Sequence, residues 1–198
     1  MSQRRTRAEM MEETRAKLVA TARNAFAAQG YAHTSMDDLT GEAGLTRGAL
    51  YHHFGGKEGL LVAVIEQIEA EVGTQLDAVS QAAPTLWDGF CQRCHTYLEL
   101  ALEPEIQRIM LLDGPSVLGD PSQWPSQNKC LQSTRSTIEQ LIDNGTVKPV
   151  DPEAAAMLLN GAALNAALWL ASSANPQAML PKTLEAFNLL ASGFLVKG

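Results

Sequence analysis

Cysteines, signal-like segments and strand-like patterns are all scarce in this sequence. Only 3 of the 198 residues are cysteine, too few for a disulfide framework in a chain of this length. The first residues, MSQRRTRAEMMEETRAK, lack the apolar core of a signal peptide. No run alternates polar and β-branched residues as a half-buried strand would, and we find no internal repeat or low-complexity segment. We therefore expect a reducing, cytoplasmic setting and an all-α fold.

One apolar stretch approaches the length that crosses a membrane. Residues 154–171, AAAMLLNGAALNAALWLA, are rich in alanine, contain Asn160 and Asn165, and lack flanking basic residues. This composition favours a buried or interface helix, and we expect no membrane partner.

Charge is distributed unevenly along the chain. The protein carries a net charge of -7, but residues 1–57 hold 8 Lys/Arg and 6 Asp/Glu, a balance of +2. The remaining 141 residues have a balance of -9. The basic segment also contains all but one of the four histidines. Such asymmetry is typical of a small nucleic-acid-facing part attached to an acidic body.

Helical periodicity and capping signals predict about nine helices. Thr34 or Ser35 can cap one short helix, and Thr46 can cap a second that runs to Phe54. Two short helices joined by a glycine-containing turn predict a helix-turn-helix domain over residues 1–56, followed by a helical domain over residues 57–198. Residues 113–126, DGPSVLGDPSQWPS, are expected to form a loop. The other helices are expected at residues 8–29, 57–81, 85–102, 105–113, 127–144, 152–173 and 179–197.

The second short helix carries residue types that can form hydrogen bonds with DNA bases and phosphates. A helix-turn-helix places the start of its second helix against base edges in the major groove. A guanidinium at Arg47 can pair with the two acceptors of a guanine, and Gly48 and Ala49 are small enough for close approach. Tyr51 carries a hydrogen-bonding tip, and Lys57 opens the next helix, where its charge adds to amide donors that favour a phosphate.

The segment TSMDDLTGEAGLTRGALYHHFGGKEGLL resembles the DNA-binding segment of the TetR/AcrR family of transcriptional repressors. That family has Ala-Gly-Val-Ser-x-Gly-x-Leu-Tyr-x-His-Phe-x-x-Lys-Glu at the corresponding positions. The match extends back to about residue 15 and covers roughly the first 62 residues. Three departures are Leu39-Thr40 for Ile-Ala, Leu45-Thr46 for Val-Ser, and Gly59 for a charged residue. Thr40 puts a hydroxyl at a position that is usually small and apolar.

The resemblance implies a homodimeric repressor that binds a double-stranded DNA operator and responds to a small-molecule effector. It implies phosphate contacts from Thr34, Ser35, Tyr51 and Lys57. It also implies that Arg47, Gly48 and Ala49 face bases, with His52 and His53 nearby. With the neighbouring histidines and the cap, the candidate DNA-contact residues are Thr34, Ser35, Thr46, Arg47, Gly48, Ala49, Tyr51, His52, His53 and Lys57.

Two histidine-containing groups admit other interpretations. His52 and His53 diverge by about 100° on a helix, which disfavours a metal site and leaves DNA contact or packing of His53. Cys91, Cys94 and His95 share a helical face. They can form a core or pocket stripe, hold zinc with a fourth ligand, sense redox state, or pair as nucleophile and base in an enzyme. The core or pocket stripe is the reading we adopt, with no metal, no cofactor and no catalytic residues.

The second domain offers large apolar side chains and a few polar groups for an effector site. The polar candidates lie on otherwise apolar helix faces, where an unpaired polar group is unfavourable. Asn165 can instead bond across a dimer. The candidate effector-binding residues are Trp87, Cys91, Cys94, His95, Met110, Trp124, Asn160, Asn165 and Trp169.

The last two predicted helices are apolar on more than one face and must therefore be covered by something besides their own domain. A homodimer through about residues 152–197 would cover them and would place two DNA-binding heads about one DNA turn, roughly 34–36 Å, apart or a multiple of it. The alternative is an activator or a ligand-independent regulator of the same fold.

Overall fold

The computed structural model describes residues 6–196. Residues 1–5, 197 and 198 lie outside this range, so the start of the predicted first domain and the predicted end of the last helix fall outside the described residues. Within residues 6–196 the chain forms nine helices, if Pro104–Leu118 is taken as one, plus a 3-10 turn at Pro121–Gln123. The helical segments are α1 (Arg7–Gln29), α2 (Met36–Ala43), α3 (Arg47–Phe54), α4 (Lys57–Ala82), α5 (Leu86–Leu100), α6 (Pro104–Ile106), a π-helical segment (Gln107–Asp113), α7 (Gly114–Leu118), α8 (Pro125–Asp143), α9 (Pro152–Ser172) and α10 (Pro176–Ser192). The predicted all-α fold is confirmed.

Local capping defines the three helices of the N-terminal head, α1 to α3. Of the two caps that the sequence allowed for α2, Ser35 is the one used, and it accepts a hydrogen bond from the Asp38 amide. Thr46 accepts one from the Ala49 amide, as the sequence predicted. Gly44 ends α2 with φ of 61°, a left-handed conformation that glycine adopts readily. The turn between α2 and α3 is therefore only three residues long, which fixes the angle of the helix-turn-helix.

A shared core holds the head together. Leu18 and Phe26 of α1 are fully buried, as is Leu50 of α3. Leu60 and Leu61 from the first turn of α4 join them. Thr40 is also buried, but its hydroxyl donates to the carbonyl of residue 36 at 2.9 Å, so its polar group is satisfied at this apolar position.

The helix α4 links the head to the C-terminal body. Its 26 residues, about 39 Å long, pack against α1 and α3 of the head and against α5 and α7 of the body. In the body, α5 packs against α8, α9 and α10, and α9 lies between α8 and α10. The boundary after residue 56 remains a prediction, because α4 contributes to both cores.

The helix α9 is long and apolar enough to cross a membrane, by length and composition, and is the one such helix in the described part of the chain. Eight of its residues are buried. It packs on three neighbouring helices and on the π-helical segment. This arrangement is that of a core helix with one face left exposed, as the sequence indicated.

The predicted loop over residues 113–126 is wrong, because helix continues through most of it. The segment that starts at Pro104 passes through a π-helical stretch and ends only at Leu118. Pro115 lies just after the π-helical stretch, at the second residue of α7, and the helix continues past it. Gly119, with φ of 83°, ends the helix. Similarly, α10 begins three residues earlier than predicted and ends at Ser192.

The head and the body are joined by a partly buried ion cluster. The Arg23 guanidinium of α1 donates two hydrogen bonds to Glu71 of α4, at 2.7 and 2.8 Å, and two to Glu105 of α6, both at 2.7 Å. Only 20% of the Arg23 side chain is exposed. These hydrogen bonds hold the pKa of Arg23 above its usual range, first through Glu105 and then through Glu71. Hydrogen bonding from Arg23 also lowers the pKa of Glu71.

We expect Arg23→Gln to lower the free energy of unfolding at neutral pH by about 2 kcal/mol, between the values for exposed and for buried ion pairs. Because the folded-state pKa of Glu71 lies below its ordinary value of 4.5, the stabilisation is present above that pH and is lost as pH falls through the folded-state pKa. The difference between variant and wild type should therefore shrink in acid. Urea unfolding at neutral pH and below pH 4.5 measures both effects.

The matched control is Arg135→Gln, which breaks an exposed pair with Glu139 four residues along the same helix and a longer exposed contact, 3.9 Å, with Glu153 of α9. That change should alter the free energy of unfolding by less than about 0.5 kcal/mol. Equal destabilisation by the two substitutions would contradict the role of Arg23 as the link between head and body.

Candidate functional site

The start of α3 presents a row of exposed residues next to the α2–α3 turn. Thr46, Arg47 and Gly48 are exposed, and Ala49 is half-buried. Gly48 has ordinary helical backbone, and a Cβ added to it would meet only Thr46 Oγ1, at 3.7 Å. Nothing within the described protein therefore requires glycine there, although glycine weakens a helix by roughly 0.5–1 kcal/mol relative to alanine. Gly48 therefore leaves open space on the exposed side of the first turn of α3.

Arg47 does not extend freely into solvent. Its Nε and Nη2 atoms donate one hydrogen bond each to the two carboxylate oxygens of Asp37, in the first turn of α2. This bidentate contact raises the pKa of Arg47, chiefly through the hydrogen bonds that Asp37 accepts from it. The guanidinium therefore has a defined position on the surface of the head.

The second turn of α3 carries the aromatic and imidazole groups. Tyr51 is 55% exposed and His52 is exposed, whereas His53 is half-buried. The ring of His53 lies 5.5 Å from that of His52 and 6.0 Å from that of Phe54, measured between centroids. His52 and Tyr51 therefore reach solvent, while His53 also packs against the head.

The two residues before α2 have different environments. Ser35 is exposed, and its hydroxyl caps α2 and donates to the Asp38 carboxylate at 2.5 Å. Thr34 is only 2% exposed, and its hydroxyl donates to the Gly30 carbonyl at 2.9 Å. The structure does not support a phosphate contact from the Thr34 side chain, because its hydroxyl is enclosed and already bonded. A threonine at a loop position looks exposed in sequence, and only the tertiary packing shows that it is not.

The first turn of α4 lies beside this surface. No side chain caps its N-terminal amides, since Gly56 is the N-cap residue. Lys57 is half-buried, with Nζ 4.1 Å from the centroid of the Tyr31 ring. Burial lowers its pKa, and the nearby charge of Asp113 opposes that change. Free amides beside an ammonium group are suited to a phosphate.

The three cysteines lie in the body and are half-buried, two on α5 and Cys130 on α8. Burial raises the pKa of Cys91 to about 11 and that of Cys94 to about 12. Burial also raises the pKa of Cys130. Within residues 6–196 no three His, Cys, Asp or Glu side chains are arranged to hold a metal ion. High thiol pKa values disfavour both a redox-sensing and a nucleophilic role, because the thiolate is the reactive form.

We therefore expect slow alkylation of Cys91 and Cys94 in the folded protein. At pH 8 the iodoacetamide reaction should be at least about tenfold slower than in the urea-unfolded chain, because burial keeps the thiols protonated. Mass spectrometry of the cysteine peptides over time measures each rate. Faster reaction of either cysteine in the folded protein would instead favour the redox-sensor interpretation.

The predicted polar anchors already have partners within the chain. His95 Nε2 lies 2.6 Å from Asn188 Oδ1 of α10, and Asn160 Oδ1 accepts from the Thr134 hydroxyl at 3.0 Å. Asn165 is exposed on α9, and its amide donates to the carbonyl of residue 161 in the same helix. These contacts account for the polar groups on apolar faces without an effector.

The large side chains divide between the interior and the surface. Met110 is buried, and Trp87 is half-buried against Phe90, with ring centroids 5.6 Å apart. Trp124 is half-buried, and its buried Nε1 atom has no hydrogen-bond partner. Trp169 is half exposed on the outer face of α9. The structure therefore separates Trp169 and Asn165 from the interior candidates, because an almost wholly apolar helix does not reveal in sequence which stripe faces inwards.

Exposed apolar residues lie on both α9 and α10, and we call this patch the α9–α10 face. Leu158 is 68% exposed and Leu189 is 76% exposed. A groove of about 310 Å³ runs along the patch. It is lined by Ala162, Ala166, Trp169, Lys182, Thr183, Ala186, Phe187 and Leu190. Apolar patches of this kind mark protein contacts.

Two side-chain contacts were not identified from the sequence, the pairing of Asp37 with Arg47 and the Arg23 cluster. Ten residues separate Asp37 from Arg47, and 82 separate Arg23 from Glu105. The one sequence signal for the first contact was an acidic residue, Asp37, within the basic segment that resembles a DNA-binding domain.

Known proteins resemble both parts of the chain. Residues 18–64 match the family model described as bacterial regulatory proteins of the tetR family, and residues 87–194 match the model described as a tetracyclin repressor-like C-terminal domain. A TetR-family transcriptional regulator from Pectobacterium atrosepticum is 54% identical, with a TM-score of 0.90 over 98% of this chain and 99% of that one. The Tn10 TetC protein of Escherichia coli is 27% identical over 77% of this chain and 78% of that protein. The transcriptional regulator TtgR of Pseudomonas putida is 34% identical over 54% of this chain and 51% of that protein. The chain therefore belongs to the TetR family of DNA-binding transcriptional regulators.

Proposed function

We propose that the protein is a cytoplasmic, homodimeric repressor that leaves a pseudo-palindromic operator when a small molecule binds its body. The exposed start of α3 carries the proposal: Arg47 is fixed by Asp37, and Gly48 leaves room that the protein itself does not need. A helix with that surface can enter the major groove and read bases. The relatives are regulators rather than enzymes, which agrees with this function.

The proposed DNA contacts divide by chemistry. Arg47, Gly48 and Ala49 would face bases, with His52 near them. Ser35, Tyr51 and Lys57 would contact phosphates through hydroxyl, phenol and ammonium groups, together with the uncapped amides of α4. Phosphate contacts fix the register of the head on the duplex, and the base contacts then supply the sequence preference.

The α9–α10 face is the proposed dimer interface. Two copies that pair through it would bury Leu158, Leu189 and Leu190, all at least half exposed in the single chain. The same pairing would hold two heads on one side of the dimer. The net charge of -9 on residues 58–198 then lies away from the phosphates, where salt screens it beyond about 8–10 Å.

The effector would bind in the body and act through α4. Trp124 supports an effector site, because its buried Nε1 donor has no partner in the described chain and an unmade buried hydrogen bond is unfavourable by about 1–3 kcal/mol. A ligand with an acceptor oxygen or nitrogen would satisfy it. The adjoining π-helical segment ends at Asp113, whose carboxylate accepts from the Tyr31 amide of the head at 2.7 Å. If the effector binds one arrangement of this junction more tightly than it binds the arrangement that fits DNA, its binding would release the DNA.

The test is a fluorescence-anisotropy titration on DNA from the region upstream of the protein's own gene, with competitor DNA at moderate salt. The proposal predicts sequence-selective binding that a compound found by thermal-shift screening reverses. Equal affinity for the upstream DNA and the competitor would contradict the repressor function. If the protein still binds the upstream DNA selectively in the presence of every stabilising compound, it is a ligand-independent regulator instead.

A further inference from the structure

We propose that Asp37 is a positioning residue for base recognition, which holds one edge of the Arg47 guanidinium and leaves the other edge free for a guanine. The inference rests on the proposed function, because it assumes that Arg47 faces the bases. It adds a second residue, on the other helix of the helix-turn-helix, that determines which base is read.

The atoms of the contact show which edge is used. Asp37 accepts from Nε and Nη2 of Arg47, one hydrogen bond to each carboxylate oxygen. A guanidinium carries five N–H groups, so both N–H groups of Nη1 and one of Nη2 remain free. One N–H group of Nη1 and the remaining N–H group of Nη2 form the outer edge of the guanidinium. Two parallel donors at this edge match the O6 and N7 acceptors of guanine. Arg47 can therefore read guanine without releasing Asp37.

The local backbone places the Asp37 carboxylate next to the Arg47 guanidinium. Asp37 lies in the first turn of α2, and Arg47 is the first residue of α3. The Ser35 and Thr46 caps fix these two helix starts, and the buried side chains of Leu39 and Leu50 hold the helices on one core. The two residues therefore keep their relative placement when the head meets DNA as a rigid unit.

Stability does not explain the pair. The Arg47 side chain is 59% exposed and that of Asp37 is 67% exposed. Exposed ion pairs contribute little to folding. A carboxylate on a surface that faces phosphates also opposes DNA binding. Asp38, its neighbour, has a different task, since it bonds the Ser35 hydroxyl at the start of α2. Fixing the direction of the guanidinium accounts for Asp37.

A role for Asp37 in sequestering Arg47 predicts the opposite effect on DNA binding when the Asp37 charge is removed. If Asp37 merely sequestered Arg47, removing its charge would free the guanidinium and strengthen binding to the preferred site. If Asp37 positions Arg47, removing its charge should weaken the preference for one base while leaving affinity for competitor DNA equal or greater, because one repulsive charge is gone. The two roles are therefore distinguishable by direction.

The experiment compares the full-length wild type with Asp37→Asn and Glu42→Gln. Glu42 is exposed on the same helix, and removing its charge matches the change in net charge without touching Arg47. Each protein selects sites from a randomised duplex pool, and anisotropy titrations then measure affinity for the enriched duplex, for single-base variants of it and for competitor DNA. Circular dichroism melting checks that the variants are folded. Arg47→Lys, which keeps the charge but has no fork, and the double variant Asp37→Asn/Arg47→Lys complete the cycle.

We expect Asp37→Asn to reduce the guanine preference at one position of each half-site by about tenfold, with unchanged preferences elsewhere. Glu42→Gln should keep that preference, and Asp37→Asn should not change the guanine preference further once Arg47 is lysine. An unchanged or stronger guanine preference in Asp37→Asn overturns the inference alone. Failure of the wild type to enrich any sequence overturns the proposed function, and the inference with it.

Discussion

Replacing Leu158 and Leu190 together by glutamate is expected to convert the protein into a monomer and to weaken operator binding by at least about a hundredfold. Both residues lie on the α9–α10 face and are at least half exposed. In a symmetric dimer each substitution occurs twice, so four carboxylates would enter an apolar contact, where unpaired charges are strongly unfavourable. Loss of pairing removes the second head. Linking two DNA contacts raises affinity by about 10² to 10⁴ over one contact, and this gain would disappear.

Analytical ultracentrifugation measures the association state of this variant, and anisotropy measures its DNA affinity. The control is Leu86→Glu, which adds a charge at an exposed apolar residue of α5 outside the face. The control should remain dimeric. A Leu158→Glu/Leu190→Glu protein that stays dimeric and binds the operator normally would show that another surface forms the dimer.

Arg47→Ala and Lys57→Ala are expected to weaken DNA binding in two different ways. Loss of Arg47 should remove about 1–3 kcal/mol of base discrimination in each head, because a bidentate base contact is lost. Loss of Lys57 should weaken binding to every sequence alike. It should also reduce the slope of log affinity against log salt by about 0.9 per head, since one fewer phosphate is neutralised.

Anisotropy titrations on the enriched and competitor duplexes at several salt concentrations separate the two effects. Lys129→Ala serves as the control, because it removes an exposed cation from α8, far along the chain from the head. It should leave both quantities unchanged. If Arg47→Ala lowered affinity for all sequences equally, Arg47 would be a phosphate contact rather than a base contact.

The helices of the head could be predicted from the sequence because their signals are local. Ser35 and Thr46 each form the cap that their spacing indicated, and Gly44 ends α2 at the expected turn. Leu18 and Phe26 lie eight residues apart, on one stripe of a helix of 3.6 residues per turn, and both are fully buried. Such signals act within one or two turns of helix, which is the range that sequence patterns report.

The segment from residue 113 to residue 126 was harder to predict because tertiary packing outweighs its composition. Gly, Pro and Ser favour a loop there, yet Gly114 is buried in a tight contact, where a Cβ would come within 2.8 Å of the Trp124 ring. A glycine that appears to break a helix in sequence is instead needed for close packing. The π-helical stretch before it has no sequence signature of its own.

The effector and dimer residues could be predicted only as a mixed set. On α9 the interior and exterior stripes are both apolar, so Leu159 and Leu158 look alike in sequence although one is buried and the other is exposed. The contacts of Asp37 and Arg23 depend on which helices meet, and no local pattern contains that information. Side-chain partners across helices are therefore what the structure adds to the sequence.

Selection of binding sites for the wild-type protein from a randomised duplex pool tests whether two copies of α3 read one duplex. The account predicts two inverted copies of one short sequence, each containing a guanine read by Arg47, with centres about 34–36 Å apart or a multiple of that distance. Enrichment of a single unrepeated sequence, or of none, would contradict the claim that two copies of α3 held by the α9–α10 face read one duplex.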